Sequence, residues 1–347
     1  MKAFPDPNKF ESVPRFNEWI DTKFAKDNGG DLEILGEKLR PSEVLHKFSF
    51  DTYQAKFAEY KRHREEAIIS TVTESFPIVI AHPFYRCIYG FENEIQRLQF
   101  LRDTWEGLIN FVHALVVSES RAEKLPLGAP VKCANVLSDS LATRIGTIEN
   151  VLSVANSSGI PLESTKIVNL EVVTTIKELN HTRNAFSHSG AVSEHRATAL
   201  INECIEDVFD VLDGFSLLRD VKLLRYDRLD GLQMRHERFD GHAKTRRYGG
   251  IQLNPTRLST FAPLLTKEET LLAIKGKIFS ACPFLVFVPH SSGHSVQVAF
   301  YKKARGDAPN RKLIFEIVGE ANEIEQDRSQ FQPVINEIRA QFGEHPE

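Results

Sequence analysis

The stretch FENEIQRLQFLRDTWEGLINFVHAL, residues 91–115, decides the fold. Its apolar residues recur at spacings of three and four for about seven turns, which predicts a long amphipathic helix. Pro126 and Gly128 then break the pattern. The apolar face consists of Phe91, Ile95, Leu98, Leu101, Trp105, Leu108, Val112 and Leu115.

Three further helical patterns follow this stretch. The second covers about residues 131–154, and the third begins near Ser164 and is expected to end at Ser189-Gly190, where the glycine fits the C′ position. Ser193 is a good N-cap for the fourth, which continues to Gly214. Because the links between these long helices are short, they predict an antiparallel four-helix bundle.

Residues 1–90 are expected to form a mainly helical N-terminal region. Apolar residues near helical spacing predict a helix over 50–75. Pro77 and Pro83 are expected to end the helical segment and to force extended chain around 78–80.

Residues 216–347 change to strand signals. Asp-Gly pairs at 230–231 and 240–241 predict hairpins, and a last helix is expected over 322–342, with Pro333 kinking or splitting it. The β-rich runs are residues 271–274, 284–288, 295–301 and 313–318. The expected fold class is therefore α+β, with a helical N-terminal extension (1–90), a central four-helix bundle (91–215) and a β-rich C-terminal domain that ends in a helix (216–347).

Composition limits the classes of function. A net charge of -4 and a pI near 6.3 exclude a globally basic nucleic-acid coat, so any nucleic-acid contact needs a local basic patch. The four cysteines are far apart without C-x-x-C spacing, which favours reduced thiols over a disulfide framework or a zinc site. The first residues lack the apolar core of a signal peptide, and no apolar run approaches the roughly 20 residues of a membrane span. We expect a cytoplasmic protein that does not associate with membranes.

The hexapeptide Arg183-Asn184-Ala185-Phe186-Ser187-His188 carries the strongest chemical signal. A guanidinium binds phosphate, an imidazole transfers protons near neutral pH, and the Asn184 amide can orient either partner. On a continuous helix Arg183 and His188 would differ by about 140° in direction, so a shared site requires the helix to end at Ser189-Gly190. Chance gives roughly 0.8 Arg–His pairs with this spacing in the chain, but only roughly 0.04 once Asn must follow the Arg.

Four helices with R-N-x-x-x-H at the end of the third resemble the HEPN superfamily (higher eukaryote and prokaryote nucleotide-binding domain), over residues 91–215. The resemblance implies a metal-independent endoribonuclease without a cofactor, usually a toxin, abortive-infection or other anti-phage protein. It implies catalytic roles for Arg183, Asn184 and His188 and a homodimer in which two motifs form one composite site. An inhibitor or antitoxin is a further expected partner. One subgroup has a Tyr soon after the His; here Ser189-Gly190-Ala191 follows, so control through that Tyr is not implied.

The chemistry of RNA agrees with this hypothesis. The 2′-OH is the nucleophile, and cleavage needs charge stabilisation on phosphorus and a proton for the leaving 5′-oxygen. A bidentate Arg and a proton-transferring His provide both, the His contributing about 10²–10⁴-fold. The expected products carry a 2′,3′-cyclic phosphate or 3′-phosphate and a 5′-OH, and DNA should remain intact.

A second candidate region is the basic stretch between Lys222 and Arg257, where nine Lys or Arg face four Asp or Glu. A nearby aromatic, Tyr248, favours a hairpin that contacts RNA. The alternative is an exposed polar hairpin balanced by acidic loops. The candidate RNA-binding residues are Arg235, Arg238, Lys244, Arg246 and Arg247.

Other patterns are weaker. His290 and His294 flank a turn, but a metal would need a third ligand, so a plain loop is favoured. His113 on the first long helix is interpreted as a core or interface histidine. The chain has no P-loop, G-x-G-x-x-G or H-E-x-x-H motif. Two alternatives stay open: a non-catalytic HEPN-like module that binds RNA, a nucleotide or a protein, and a structural interaction protein whose β-rich domain carries the function.

Overall fold

A computed structural model describes residues 14–28, 31–34, 36–128, 131–168, 170–187, 193–243, 247–290, 296–306, 311–320 and 322–345. The helices are α1 (Pro14–Asn28), α2 (Pro41–Phe48), α3 (Phe50–Ser75), α4 (Ile78–Tyr89), α5 (Glu94–Ala122), α6 (Cys133–Val136), α7 (Leu141–Ser158), α8 (Ser164–Ile167), α9 (Leu170–Ser187), α10 (Glu194–Gly214), α11 (Leu258–Phe261) and α12 (Gln332–Gln341). The strands are β1 (Leu32–Ile34), β2 (Glu37–Leu39), β3 (Lys222–Asp230), β4 (Gln233–Arg238), β5 (Arg247–Gln252), β6 (Thr270–Ile274), β7 (Lys277–Ser280), β8 (Leu285–Pro289), β9 (Val296–Arg305), β10 (Lys312–Ile317) and β11 (Glu323–Asp327).

The fold is mixed α+β with antiparallel sheets, and its β-rich C-terminal region ends in a helix, as predicted. The chain forms two compact units, a first unit up to Ile69 and a second unit from Ser70. This division falls within α3. The predicted boundaries near residues 90 and 215 stay predictions.

The first unit has a small aromatic core. Phe16, Ile20 and Tyr53 are fully buried, and the Phe16 ring lies 5.0 Å from the rings of both Tyr53 and Phe57. The Tyr53 hydroxyl donates to Asn17 Oδ1 at 3.0 Å, so the polar tip of this ring is satisfied inside the core.

The second unit is organised around α5. This helix packs against α4, α7 and α10, while α9 packs against α7 and α10. The approach of α4 is closest at Gly107, where an added Cβ would lie 2.3 Å from the Val79 carbonyl oxygen. A glycine is therefore required at this crossing.

Two larger antiparallel sheets complete the second unit. The five-stranded sheet has the order β5-β4-β3-β6-β7 and the four-stranded sheet the order β11-β10-β9-β8. Gly231, with φ of 63°, turns the β3–β4 hairpin at the predicted Asp-Gly pair. Arg121 of α5 donates to the carbonyls of Cys282 (2.6 Å) and Ser280 (2.8 Å), so a buried guanidinium joins the central helix to the end of β7.

The expectation of extended chain around residues 78–80 was wrong, because Pro77 precedes α4 and Pro83 lies inside it. Pro83 cannot donate to the Val79 carbonyl one turn earlier. That carbonyl is the one that lies against Gly107, so the irregularity coincides with the close crossing of α4 and α5.

The last predicted helix was also wrong over its first half. Residues 323–327 form β11, an edge strand whose ladder with β10 outweighs the weak helical pattern. Pro333 lies in the first turn of α12, where proline is tolerated, and so marks a helix start rather than a kink. The second predicted helix is split into α6 and α7, because the Ser140 side chain caps a new start at Leu141.

Candidate functional site

The backbone of α9 carries two of the three residues of the R-N-x-x-x-H motif. Arg183 and Asn184 lie in its last described turns, but their side chains are outside the described residues. His188 and the predicted helix end at Ser189-Gly190 also lie outside them. The geometry of the three side chains therefore stays a prediction.

The helices on either side of the motif are antiparallel neighbours. A Cβ at Gly214, the last residue of α10, would lie 3.1 Å from the side chain of Val172 near the start of α9. The last described turn of α9 and the first turn of α10 are therefore at the same end of the pair. Ser193 caps α10 as predicted, its Oγ accepting from the Arg196 amide at 3.3 Å.

The predicted RNA-binding arginines lie on β4 and β5 and do not form one set. Arg238 and Arg247 are opposite each other across the β4–β5 ladder and share one face of the sheet. Arg235 lies three residues from Arg238 on the same strand, so it points to the other face. Lys244 and Arg246 lie outside the described residues.

Arg238 and Arg247 meet at a buried carboxylate. Asp240 is 4% exposed, and its Oδ2 lies 2.5 Å from Arg238 Nη2 and 3.6 Å from Arg247 Nη1. Burial, and next the charge of Arg238, lower the pKa of nearby Lys222. Asp220 also acts on Lys222, so three cations lie near two carboxylates, and the remaining positive charge favours binding of an anion.

Arg235 belongs to a second cluster of charged side chains, on the opposite face. Its Nε donates to Asp230 Oδ2 at 3.0 Å, and Arg228 donates to the other oxygen at 3.2 Å. The hydrogen bond from Arg235 is the main reason why the pKa of Asp230 is lowered. Asp227 lies 3.4 Å from Arg228 and 4.0 Å from Lys267, so three cations face two carboxylates here as well.

His113 is a core residue, as predicted. It is 2% exposed, and its ring packs edge to face against Phe284 with centroids 5.0 Å apart. Burial, and next the charge of Arg144, lower the pKa of His113 well below its usual range. This imidazole stays neutral and out of contact with solvent at neutral pH.

The region of His290 and His294 cannot be compared with its prediction, since residues 291–295 lie outside the described ones. Within the described residues, no group of three or more His, Cys, Asp or Glu side chains could hold a metal ion. A search of the same residues finds no helix with the length and apolar character to cross a membrane.

One further site was not predicted from the sequence, a cleft of about 200 Å³ between α4, α5 and the β9–β10 ladder. Burial raises the pKa of Asp103 in this cleft to about 6, against the opposing charge of Arg102. The Arg102 guanidinium lies 3.2 Å from the Asp103 carboxylate, and Glu106 and Glu316 are nearby. A carboxyl with a pKa near 6 can exchange protons near neutral pH. In the sequence, Asp103 is an acidic residue on the polar side of α5, and no motif distinguishes it from other such residues.

Comparison of the chain with models of protein families, with curated proteins and with solved structures finds no match. Any function of this chain is therefore inferred from the R-N-x-x-x-H motif and from the geometry of the described residues.

Proposed function

We propose that this chain is a metal-independent endoribonuclease of HEPN type. The observation that carries the proposal is the R-N-x-x-x-H sequence of Arg183–His188, of which Arg183 and Asn184 lie near the described end of α9. The packing of α5, α7, α9 and α10 against one another supports it, because a HEPN-like bundle needs such neighbours.

In this proposal each of the three motif residues has a role in a single displacement at phosphorus. The 2′-oxygen attacks the phosphorus in line, the bond to the 5′-oxygen breaks, and the proton of the 2′-OH is replaced by one delivered to the 5′-oxygen. Arg183 stabilises the charge on the phosphoryl oxygens, His188 transfers the protons, and Asn184 orients the imidazole or a phosphate oxygen.

A homodimer would place two copies of the motif around one phosphate. Two imidazoles then act on opposite sides of the bond, one as base and one as acid. We propose the cytoplasm as the location, a toxin-like or anti-phage defence role, and an inhibitor or antitoxin as the partner that restrains the activity. These last points depend on the resemblance to HEPN proteins alone.

The test is cleavage of labelled RNA in the presence of EDTA. We expect cleavage by the native chain and its loss in Arg183→Ala and in His188→Ala. Arg62→Ala and His63→Ala are matched controls, because both side chains are exposed on α3 in the first unit, 67% and 53% respectively. Activity that survives in both motif variants, or that EDTA abolishes, would reject the proposal.

A second candidate function is RNA binding without cleavage, favoured by the excess positive charge at Asp240. In that case Arg238→Gln and Arg247→Gln would weaken RNA binding and lower its salt dependence, while Arg183→Ala would leave binding unchanged. Gel-shift titrations at two salt concentrations separate this candidate from the nuclease.

A further inference from the structure

A second cleft, of about 340 Å³, lies in the second unit between α6, β9, β10 and α12. Its charged lining residues, among those that the structure describes, are Arg311, Arg328, Arg339 and a single carboxylate, Glu344. We call it the arginine cleft. This local excess of positive charge contrasts with the net charge of -4 of the whole chain.

A backbone hydrogen bond connects two of the three arginines. The Arg328 amide donates to the Arg311 carbonyl at 3.1 Å, which holds the backbones of the two residues side by side. Arg339 comes from α12, with its Nε 3.5 Å from Glu344 Oε2. Three arginines from separate segments of the chain therefore line one cleft.

The rest of the lining is apolar and well supported. Leu137, Leu313 and Ile335 line the wall, and the last two are buried in the core of the four-stranded sheet. Tyr301 is 2% exposed, and its hydroxyl donates to the Leu137 carbonyl at 2.9 Å. This bond ties the segment after α6 to β9 and gives the cleft a fixed side.

A cleft lined by both arginines and apolar side chains matches a ligand that carries a phosphate and also a sugar or base. Arginine is the side chain best suited to bind phosphate through paired N–H donors. The volume is near the lower end of the roughly 300–1,000 Å³ found for small-molecule sites, which fits one mononucleotide.

We propose that the arginine cleft binds a phosphate-bearing small molecule of mononucleotide size. The phosphate lies against Arg311, Arg328 and Arg339, and the remainder of the molecule lies against the apolar wall. This site goes beyond the proposed function, since the described residues that line it come from 133–137 and 301–344, outside the R-N-x-x-x-H motif. It can exist whether or not the chain cleaves RNA.

The test is calorimetric titration of the full chain carrying Arg183→Ala, so that the proposed RNA site does not contribute. The probes are 5′-AMP, ribose 5-phosphate, adenosine and inorganic phosphate. We expect 5′-AMP to bind at least tenfold more tightly than adenosine or inorganic phosphate, with ribose 5-phosphate between them. The double variant Arg311→Gln/Arg328→Gln should weaken 5′-AMP binding at least tenfold, because the charge-assisted hydrogen bonds from two guanidiniums to the phosphate are lost.

Arg305→Gln is the matched control. Arg305 is a 62% exposed arginine on β9, paired with Glu325 at 3.1 Å, and it does not line the cleft. A second variant, Ala134→Phe, fills the apolar side from an exposed position and leaves every arginine in place, so it should also weaken binding.

The proposal is overturned if 5′-AMP does not bind, if adenosine or inorganic phosphate binds as tightly, or if both cleft variants bind it like the control. An unchanged circular dichroism spectrum and thermal midpoint show that the variants are folded. If the double variant unfolds, Ala134→Phe decides the question alone.

Discussion

One arginine–histidine pair of this chain lies in the interior of the second unit, and it differs from the motif pair on which the proposed function depends. Burial, and next the charge of Arg144 on α7, lower the pKa of His113 on α5. Arg144 is 3% exposed and donates to the carbonyls of Ser138, Tyr301 and Lys302. Both side chains are enclosed by protein, and their role is structural.

The second pair is Arg183 and His188 of the R-N-x-x-x-H motif; Arg183 lies on α9, and His188 is outside the described residues. Their spacing alone does not distinguish them from a chance pair, whereas the Asn184 that follows the arginine does. A neighbouring cation and imidazole therefore do not by themselves define a site. A catalytic pair must reach substrate, and the interior pair cannot.

The largest effect is expected in RNA cleavage. His188→Ala and Arg183→Ala should each lower the rate by about 10²–10⁴-fold, because proton transfer or charge stabilisation is lost in the transition state. His113→Leu should leave the rate per folded molecule within about twofold, since a buried neutral imidazole takes no part in the chemistry. Single-turnover rates on a labelled RNA measure all three. A His113→Leu rate as low as that of His188→Ala would contradict the distinction between the pairs.

Stability should show the opposite order. Arg144→Met would remove the donor to its buried carbonyl acceptors and to the side chain of Asn110, and should cost about 1–3 kcal/mol for each acceptor left unsatisfied. Arg311→Met, at an exposed arginine, should change the free energy of unfolding by no more than about 0.5 kcal/mol.

Urea unfolding measures this pair of variants, with Trp105 as the reporter. The chain has only two tryptophans, Trp19 in the first unit and Trp105 in the second, so Trp19→Phe isolates the signal of the second unit. Equal losses in the two arginine variants would show that Arg144 has no special structural role.

The crossing of α4 and α5 predicts a smaller loss. Gly107→Ala places a methyl group 2.3 Å from the Val79 carbonyl, so the helices must separate. We expect a cost of about 1–3 kcal/mol. Gly146→Ala is the control: it lies within α7 and has open space around the added Cβ, so it should be neutral or stabilising. The same urea assay compares them, and a neutral Gly107→Ala would mean that the crossing is looser than described.

The smallest effect concerns pH. Because the folded pKa of His113 is lowered, its contribution to stability is fully present above the unfolded pKa of about 6.5 and is lost as the pH falls below it. This loss has a slope of at most about 1.4 kcal/mol per pH unit. His113→Leu should remove that slope between about pH 6.5 and 5.

Asp103 acts in the opposite direction, so the native and variant chains must be compared at each pH. Its folded pKa of about 6 lies above the unfolded value of about 3.9, and stability therefore falls as the pH rises through this window. His113→Leu retains the pH dependence of stability that comes from Asp103, whereas Asp103→Asn removes it. An identical pH dependence in native and His113→Leu chains would contradict the burial of a neutral imidazole.

The sequence predicted the elements whose signals are local. Ser193 as the N-cap of α10 and the turn at Asp230-Gly231 were predicted from single residues whose preferences the structure satisfies. Prediction from the sequence was wrong where contacts between residues distant in the chain determine the local structure. The helix through Pro83 depends on the crossing at Gly107, and β11 forms because β10 provides a ladder.

The candidate sites show the same difference between local signals, which the sequence reveals, and contacts between distant segments, which it does not. The separation of Arg235 from Arg238 follows from strand alternation, and could have been foreseen once β4 was assigned. The arginine cleft could not, because its arginines come from separate segments that only the fold brings together. The raised pKa of Asp103 likewise results from burial by β9 and β10, which no local pattern reports.

The central claim is that Arg183 and His188 cleave RNA by attack of its own 2′-OH. The most direct measurement is the chemistry of the ends that the native chain produces in EDTA from an RNA and from the same strand with a single 2′-deoxy nucleotide at the cleaved position. The account predicts a 2′,3′-cyclic phosphate (or 3′-phosphate) and a 5′-OH, no cleavage at the deoxy position, and no products with His188→Ala. Products with a 3′-OH and a 5′-phosphate, or cleavage at the deoxy position, would contradict it.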